Sequence, residues 1–238
     1  MKKALYACFF LCVFSTVLFA EEKGRRITIP FSVGSYYGSE GSAVLDSHRG
    51  IMKNTSLGLG FDASQKIGKL FLLSVENRFL FPVSVKQFVF NDGSLLQSVD
   101  VTKTLKDANI KSFSIGYSAN ILFGASFTPI TNLNINVQAG IGGGGYVFVS
   151  DPILPGDSNS CLSFWSASVG VPLKVGLEYF FAEFVGLSVS IVDRLGVNFT
   201  GVLSSPGMTA AMIDEANKNS KPGFSNEFTF NIGPVFRW

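Results

Sequence analysis

Apolar and polar positions alternate along most of this chain, and the last fifteen residues carry the pattern to its end. Phe224, Phe228, Phe230, Ile232, Phe236 and Trp238 share one parity, broken by Asn226 and Pro234; Ser225, Glu227, Thr229, Asn231, Gly233 and Arg237 share the other. A period of two predicts a β-strand, because successive side chains point to opposite faces of the pleat. Seven more segments read the same way, at 27–37, 56–63, 71–81, 112–124, 132–141, 165–179 and 187–199. The connections between the eight alternate in length. Those at 38–53, 82–109, 150–162 and 201–223 are long, and those at 64–69, 126–131 and 180–186 are short.

Several residues interrupt the alternation, and each predicts a local irregularity. Pro30 cannot donate to a ladder and predicts a bulge or a fray near the start of the first strand. Leu70, Leu72, Asn77 and Leu80 break the third segment, and Asp193 falls on the apolar parity of the seventh, which calls for a bulge or a different boundary. Pro129 is expected in a turn. After Pro206 and Gly207, residues 208–218 predict two to three turns of helix inside the last long connection.

What the apolar parity faces decides the fold class. A soluble eight-stranded barrel of the lipocalin kind would turn it inward, crowding bulky side chains into a narrow interior and leaving Ser, Asn and Gly outside. A membrane barrel turns it toward lipid. The inward parity then holds Gly58, Gly60, Gly116, Gly140, Gly142, Gly144, Gly170 and Gly176, together with Asn132, Asn134, Asn136 and Gln138 on the fifth strand. Asparagine is a poor strand former, and a wet inner face would account for it. Short turns at one end, long loops at the other and an apolar outer band are the features of transmembrane barrels, which must close because an open sheet edge in lipid is costly. The expected fold is therefore all-β, an eight-stranded antiparallel transmembrane β-barrel.

Targeting agrees with this. Met1, Lys2 and Lys3 precede an apolar run ending in Leu18-Phe19-Ala20, which reads as a signal peptide over 1–20 with the barrel domain over 21–238. An N-terminal anchor is the alternative, but the run is short for a spanning helix. Cys8 and Cys12 would leave with the signal, so Cys161 remains alone and no internal disulfide is expected. Loss of Lys2 and Lys3 from 19 basic residues leaves 17 against 17 acidic ones. That balance argues against nucleic acid as a partner. The mean hydropathy of +0.33, with 24 Phe, is high for an ordinary secreted protein.

The terminal run Phe228-Thr229-Phe230-Asn231-Ile232-Gly233-Pro234-Val235-Phe236-Arg237-Trp238 resembles the C-terminal signal of bacterial outer-membrane barrels. The match is an aromatic last residue, a second aromatic two positions earlier and apolar residues on the same parity. The resemblance implies recognition of Phe230, Ile232, Phe236 and Trp238 by the barrel assembly machinery. The whole pattern is similar to the small eight-stranded families OmpW, OmpX and the OmpA membrane domain, with OmpW the nearest by mature length and loop size. It implies an outer-membrane location in a diderm bacterium, surrounded by outer-membrane lipid, with termini periplasmic and long loops outside.

Candidate chemistry is sparse. Residues 140–145 fit a dinucleotide fingerprint as a pattern, but they follow a strand and open no helix, so the phosphate-binding helix terminus is missing. Asp46, Ser47 and His48 have the residue types of a nucleophile triad, yet as sequence neighbours they do not converge from separate segments. No catalytic residue, metal site or cofactor is expected. The inward charges carry more weight: Asp62, Glu76, Arg78, Lys174, Glu178, Arg194, Glu227 and Arg237. Buried charges are costly unless paired, so they read as a salt-bridged plug or as a constriction in a narrow pore, and the inward glycines favour open volume. Passive passage of small solutes is the expected function. The alternative is a surface adhesion or ligand-binding barrel with a closed lumen, acting through loops such as the one holding Phe88-Val89-Phe90, which could equally lie as a lid over the mouth.

Overall fold

The computed structural model describes residues 24–41, 48–91, 94–154 and 160–238. Its strands are β1 (Arg25–Thr28), β2 (Phe31–Gly41), β3 (His48–Ile67), β4 (Phe71–Asn91), β5 (Ser94–Asp100), β6 (Ser112–Ile130), β7 (Leu133–Pro152), β8 (Cys161–Phe180), β9 (Val185–Ser204) and β10 (Gly223–Arg237). Among the described residues there are two helices, α1 (Val101–Asp107) and α2 (Ala210–Asn219). β1 and β2 are one stave interrupted at Ile29 and Pro30, where the missing N–H breaks the ladder. β5 folds back on β4 outside the ring. Eight antiparallel staves remain, and β10 closes them against β1 and β2. Gly24 N donates to Trp238 O at 3.2 Å and Trp238 N to Arg25 O at 3.3 Å, tying the seam at the chain ends.

The apolar parity faces outward. Phe31 is 66% exposed and Ile141 69%, while the Ser and Asn residues of the other parity are buried. A soluble barrel would reverse these two faces, so the lipocalin arrangement is excluded and the band is the lipid-contacting surface. Phe71 stacks on Phe123 at 5.5 Å within it, an aromatic cross-strand contact on that face.

The long connections are shorter than the alternation implied, because the strands run on past the segments that the alternation marks. β3 begins at His48 and β7 runs to Pro152. Turn chemistry differs at Pro129, which lies inside β6 beside a register shift between Phe127 and Ile130; the turn itself is made by Thr131 and Asn132. Asn132 takes φ 70, a left-handed conformation that asparagine tolerates, so it belongs to the turn and leaves the inward row to Asn134, Asn136 and Gln138. The expected helix is α2, capped by Thr209, whose Oγ1 accepts from Met212 N at 3.4 Å.

Asp193 needs no bulge. The β9 ladder runs past it without a register shift, and its carboxylate stays on the outer face, where it accepts from Asn226 Nδ2 at 2.5 Å. The two exceptions to the apolar parity on β9 and β10 therefore satisfy each other. Asn77 is treated likewise: it lies on the outward parity of β4, buried, and accepts from Tyr117 Oη at 2.5 Å. Leu72 is turned inward and buried toward the short-turn end.

Candidate functional site: the barrel interior

Inward charges from separate staves meet across the lumen. Arg78 on β4 forms a two-pronged pair with Asp62 on β3; its Nη2 donates to Asp62 Oδ2 at 2.8 Å and lies 3.6 Å from Glu76 Oε1. Lys174, on β8, donates to Glu76 Oε1 at 2.5 Å and lies 3.9 Å from Asp62. These four groups form one cluster. Asn231 on β10 accepts from Arg78 Nε at 3.2 Å and from Ser32 Oγ at 2.6 Å. Arg194 on β9 pairs with Glu227 on β10 at 2.6 Å, and its other nitrogen donates to Ser118 Oγ at 3.0 Å and Asn120 Oδ1 at 3.3 Å on β6. Asn120 Nδ2 in turn donates to Glu76 Oε2 at 3.2 Å, joining the two groups.

The geometry of these links is decisive for what the interior can do. β4 to β8, β4 to β10 and β6 to β9 are each three staves apart in a ring of eight, so the bonds span the lumen and do not run along its wall. The side chains are packed: Arg78 is 3% exposed, Glu76 1% and Arg194 2%. Charges so placed are costly unless paired, and each of these has an ion-pair or hydrogen-bond partner.

Of the eight charges expected inside, Asp62, Glu76, Arg78 and Lys174 form the cluster, and Arg194 and Glu227 the adjoining pair. Glu178 lies nearer the short turns and pairs with Arg26 of β1, again three staves away. Arg237 does not join them. Its guanidinium lies 4.0 Å from the centre of the Phe180 ring, and Nε donates to Glu183 O at 2.7 Å, at the short-turn mouth. The fourth lumen base is therefore Arg26. Its parity with Thr28, Pro30 and Ser32 signals this in the sequence, although its neighbours Lys23 and Arg25 make it read as part of a basic run.

The inward glycines do not leave open volume. A Cβ on Gly60 would stand 2.6 Å from Arg78 Cδ, one on Gly144 2.7 Å from Arg194 Nη2, and one on Gly142 1.9 Å from Asn120 Oδ1. These glycines make room for the two arginines and the amide that bridges them. Residues 140–145 lie within β7, paired with β6 throughout and with β8 at 142–145, and among the described residues β8 follows them with no helix between.

Toward the long connections a second layer lies over the charges. Tyr36 Oη donates to Asn198 Oδ1 at 2.5 Å and lies 3.0 Å from Ser166 Oγ, with its ring edge-on to Tyr146 across the barrel at 5.6 Å. Phe148 stacks on Phe164 at 4.8 Å. Val85 and the α1 residues Val101 and Leu105 complete this buried apolar cluster. α1 was legible in retrospect: Asp100 Oδ1 caps it by accepting from Lys103 N at 2.9 Å, and Val101 and Leu105 are spaced for one face. A small cavity lined by Gly34, Tyr36, Asn54, Ser56, Leu80, Tyr146 and Glu227 separates the two layers.

Asp46 and Ser47 lie outside the described residues, as do the signal segment and the side chains of His48, Phe88, Val89 and Phe90. Among the described residues no group of three His, Cys, Asp or Glu side chains is placed to hold a metal. The terminal Phe230, Ile232, Phe236 and Trp238 all lie on the outer face of β10 or at its end.

Closed ring, lipid-facing apolar band and polar interior together define an integral outer-membrane β-barrel. The chain belongs to the family described as Domain of unknown function (DUF2715), whose model matches residues 21–238. The fold is similar to that of the outer membrane protease OmpT from Escherichia coli, at 7% identity over 90% of this chain and 96% of that one, with a TM-score of 0.52. OprG from Pseudomonas aeruginosa aligns at 12% identity over 92% and 97%, TM-score 0.46, and Ail, the attachment invasion locus protein of Yersinia pestis, at 10% over 91% and 100%, TM-score 0.42. No curated protein matches the sequence. At such identities the likeness concerns the fold alone.

Proposed function

We propose that this protein is a non-enzymatic outer-membrane barrel with a sealed lumen, which holds its long connections at the cell surface as a binding or adhesion platform. The observation that carries the reading is the buried charge cluster of Asp62, Glu76 and Arg78, which Lys174 of β8 bridges across the lumen. A solute would have to separate paired charges in a low-dielectric interior, at several kcal/mol for each group left alone. The aromatic layer of Tyr36, Tyr146 and Phe148 beneath α1 adds a second barrier. The termini lie with the short turns and are periplasmic in this reading, the signal is removed after Ala20, and the terminal strand is the segment delivered to the assembly machinery.

Passive passage, the function expected from the alternation, draws support from the cavity between the layers, which would serve as a waypoint in a gated path. Planar bilayers separate the readings. The wild-type barrel is expected to give no steady conductance, whereas a variant with Arg78→Gly, Lys174→Gly and Leu105→Gly together opens one. Steady conductance of the wild type would overturn the sealed reading in favour of passage.

A further inference from the structure

On the outer face, at the edge of the apolar band toward the long connections, two lysines stand directly opposite each other. Lys53 of β3 and Lys86 of β4 are cross-strand partners, and both are exposed. Lys53 shares parity with the lipid-facing Leu57 and Leu59, while Asn54 and Ser56 between them are buried inside. Lys86 is aimed by an irregularity. The register shift between Thr55 and Ser56 leaves Val83 as an extra residue on β4, which turns Val85 inward and Lys86 outward beside Lys53. Without that bulge the two ammonium groups would lie on opposite faces.

Like charges facing each other across a ladder are destabilising, at Cβ separations of about 5 Å. The described neighbours supply one carboxylate for the two ammonium groups. Asp100, beyond Lys86 on β5, pairs with it through Oδ2 at 3.8 Å while its Oδ1 caps α1, in an ion pair that is half-exposed and therefore weak. Among the described residues Lys53 has no ion pair; its other cross-strand neighbour is Tyr37 of β2. Directly below, on the way into the band, Val33, Leu57, Phe81 and Val83 are exposed apolar surface.

We propose that Lys53 and Lys86, with Tyr37 beside them, form a binding site for the phosphate of an outer-leaflet phospholipid of net negative charge, whose acyl chains lie along Leu57, Phe81 and Val83. An anionic phosphate between the ammonium groups removes their repulsion, and the apolar surface continues into the lipid-facing band, so headgroup and chains are matched by one continuous surface. The site depends on the proposed orientation only for the choice of leaflet.

The test uses the full-length barrel in neutral detergent, with short-chain phosphatidylglycerol and phosphatidylcholine offered together and retained lipids counted by native mass spectrometry. Wild type is expected to favour phosphatidylglycerol by about five-fold per lysine. Lys53→Gln with Lys86→Gln removes the preference, and Lys106→Gln with Lys111→Gln leaves it intact. Millimolar inorganic phosphate is expected not to displace the lipid; displacement would reassign the site to free phosphate and overturn the lipid proposal. So would a wild type without preference, or a double variant that keeps it. Folding is checked by gel mobility before and after boiling. If the double variant does not fold, Lys53→Gln alone is read, with an expected five-fold loss. Because conductance is not the readout, failure here leaves the sealed-lumen reading standing.

Discussion

Single residues decide whether the interior is a plug. Arg78→Met leaves Asp62 and Glu76 facing Lys174 alone, and is expected to lower stability by about 3–5 kcal/mol, measured by urea unfolding in lipid vesicles. Adding Asp62→Leu should restore much of that loss, since the unpaired carboxylate goes too; an unchanged midpoint for the single variant would show the cluster to be loosely held. Gly144→Val places a side chain against Arg194 Nη2 and Tyr117 O, for a cost of about 1–3 kcal/mol. In a double-mutant cycle with Arg194→Ala that cost is expected to shrink, and strict additivity would deny that the glycine makes room for the guanidinium. Parity placed all these groups inside. It could not say that the glycines are filled by arginines from other staves, because that contact joins residues 50 apart in sequence across a closed ring.

At the level of elements, the staves were legible and their decorations only in part. A two-residue period survives wherever one face meets lipid, so the band segments of all eight staves could be read. Above the band the inner face packs an apolar layer and the irregularity at Val83 shifts the parity of β4, so the simple period is lost, and β3, β4 and β7 continue unseen into what read as loops. α1 packs against this layer. Leu105→Ala removes part of the buried cluster formed with Tyr36, Tyr146 and Phe148, with an expected local loss of about 2–5 kcal/mol. Hydrogen exchange should then rise in α1 and the upper part of β4 while the band segments of β8 and β9 stay protected. Equal loosening throughout would mean that the cap and the barrel unfold as one unit.

For the whole molecule, closure is the controlling event, since β10 must find both β9 and the β1–β2 stave before any edge is satisfied. Phe236→Ala with Trp238→Ala is expected to reduce several-fold the amount of heat-modifiable barrel assembled in cells, while refolding into lipid vesicles changes little. Equal assembly in cells would separate the terminal strand from any addressing role. The sequence by itself determined the number of staves, the outward direction of the apolar parity and seven of the eight inward charges it named, because each follows from a local period of two and from which solvent a face can tolerate. Only the tertiary structure decided that Arg26 and not Arg237 completes the charge set, that Asp193 is satisfied by Asn226, and that Lys53 meets Lys86. Those outcomes depend on register between strands and on the distance across a closed ring, and neither quantity is encoded in the alternation of any one strand.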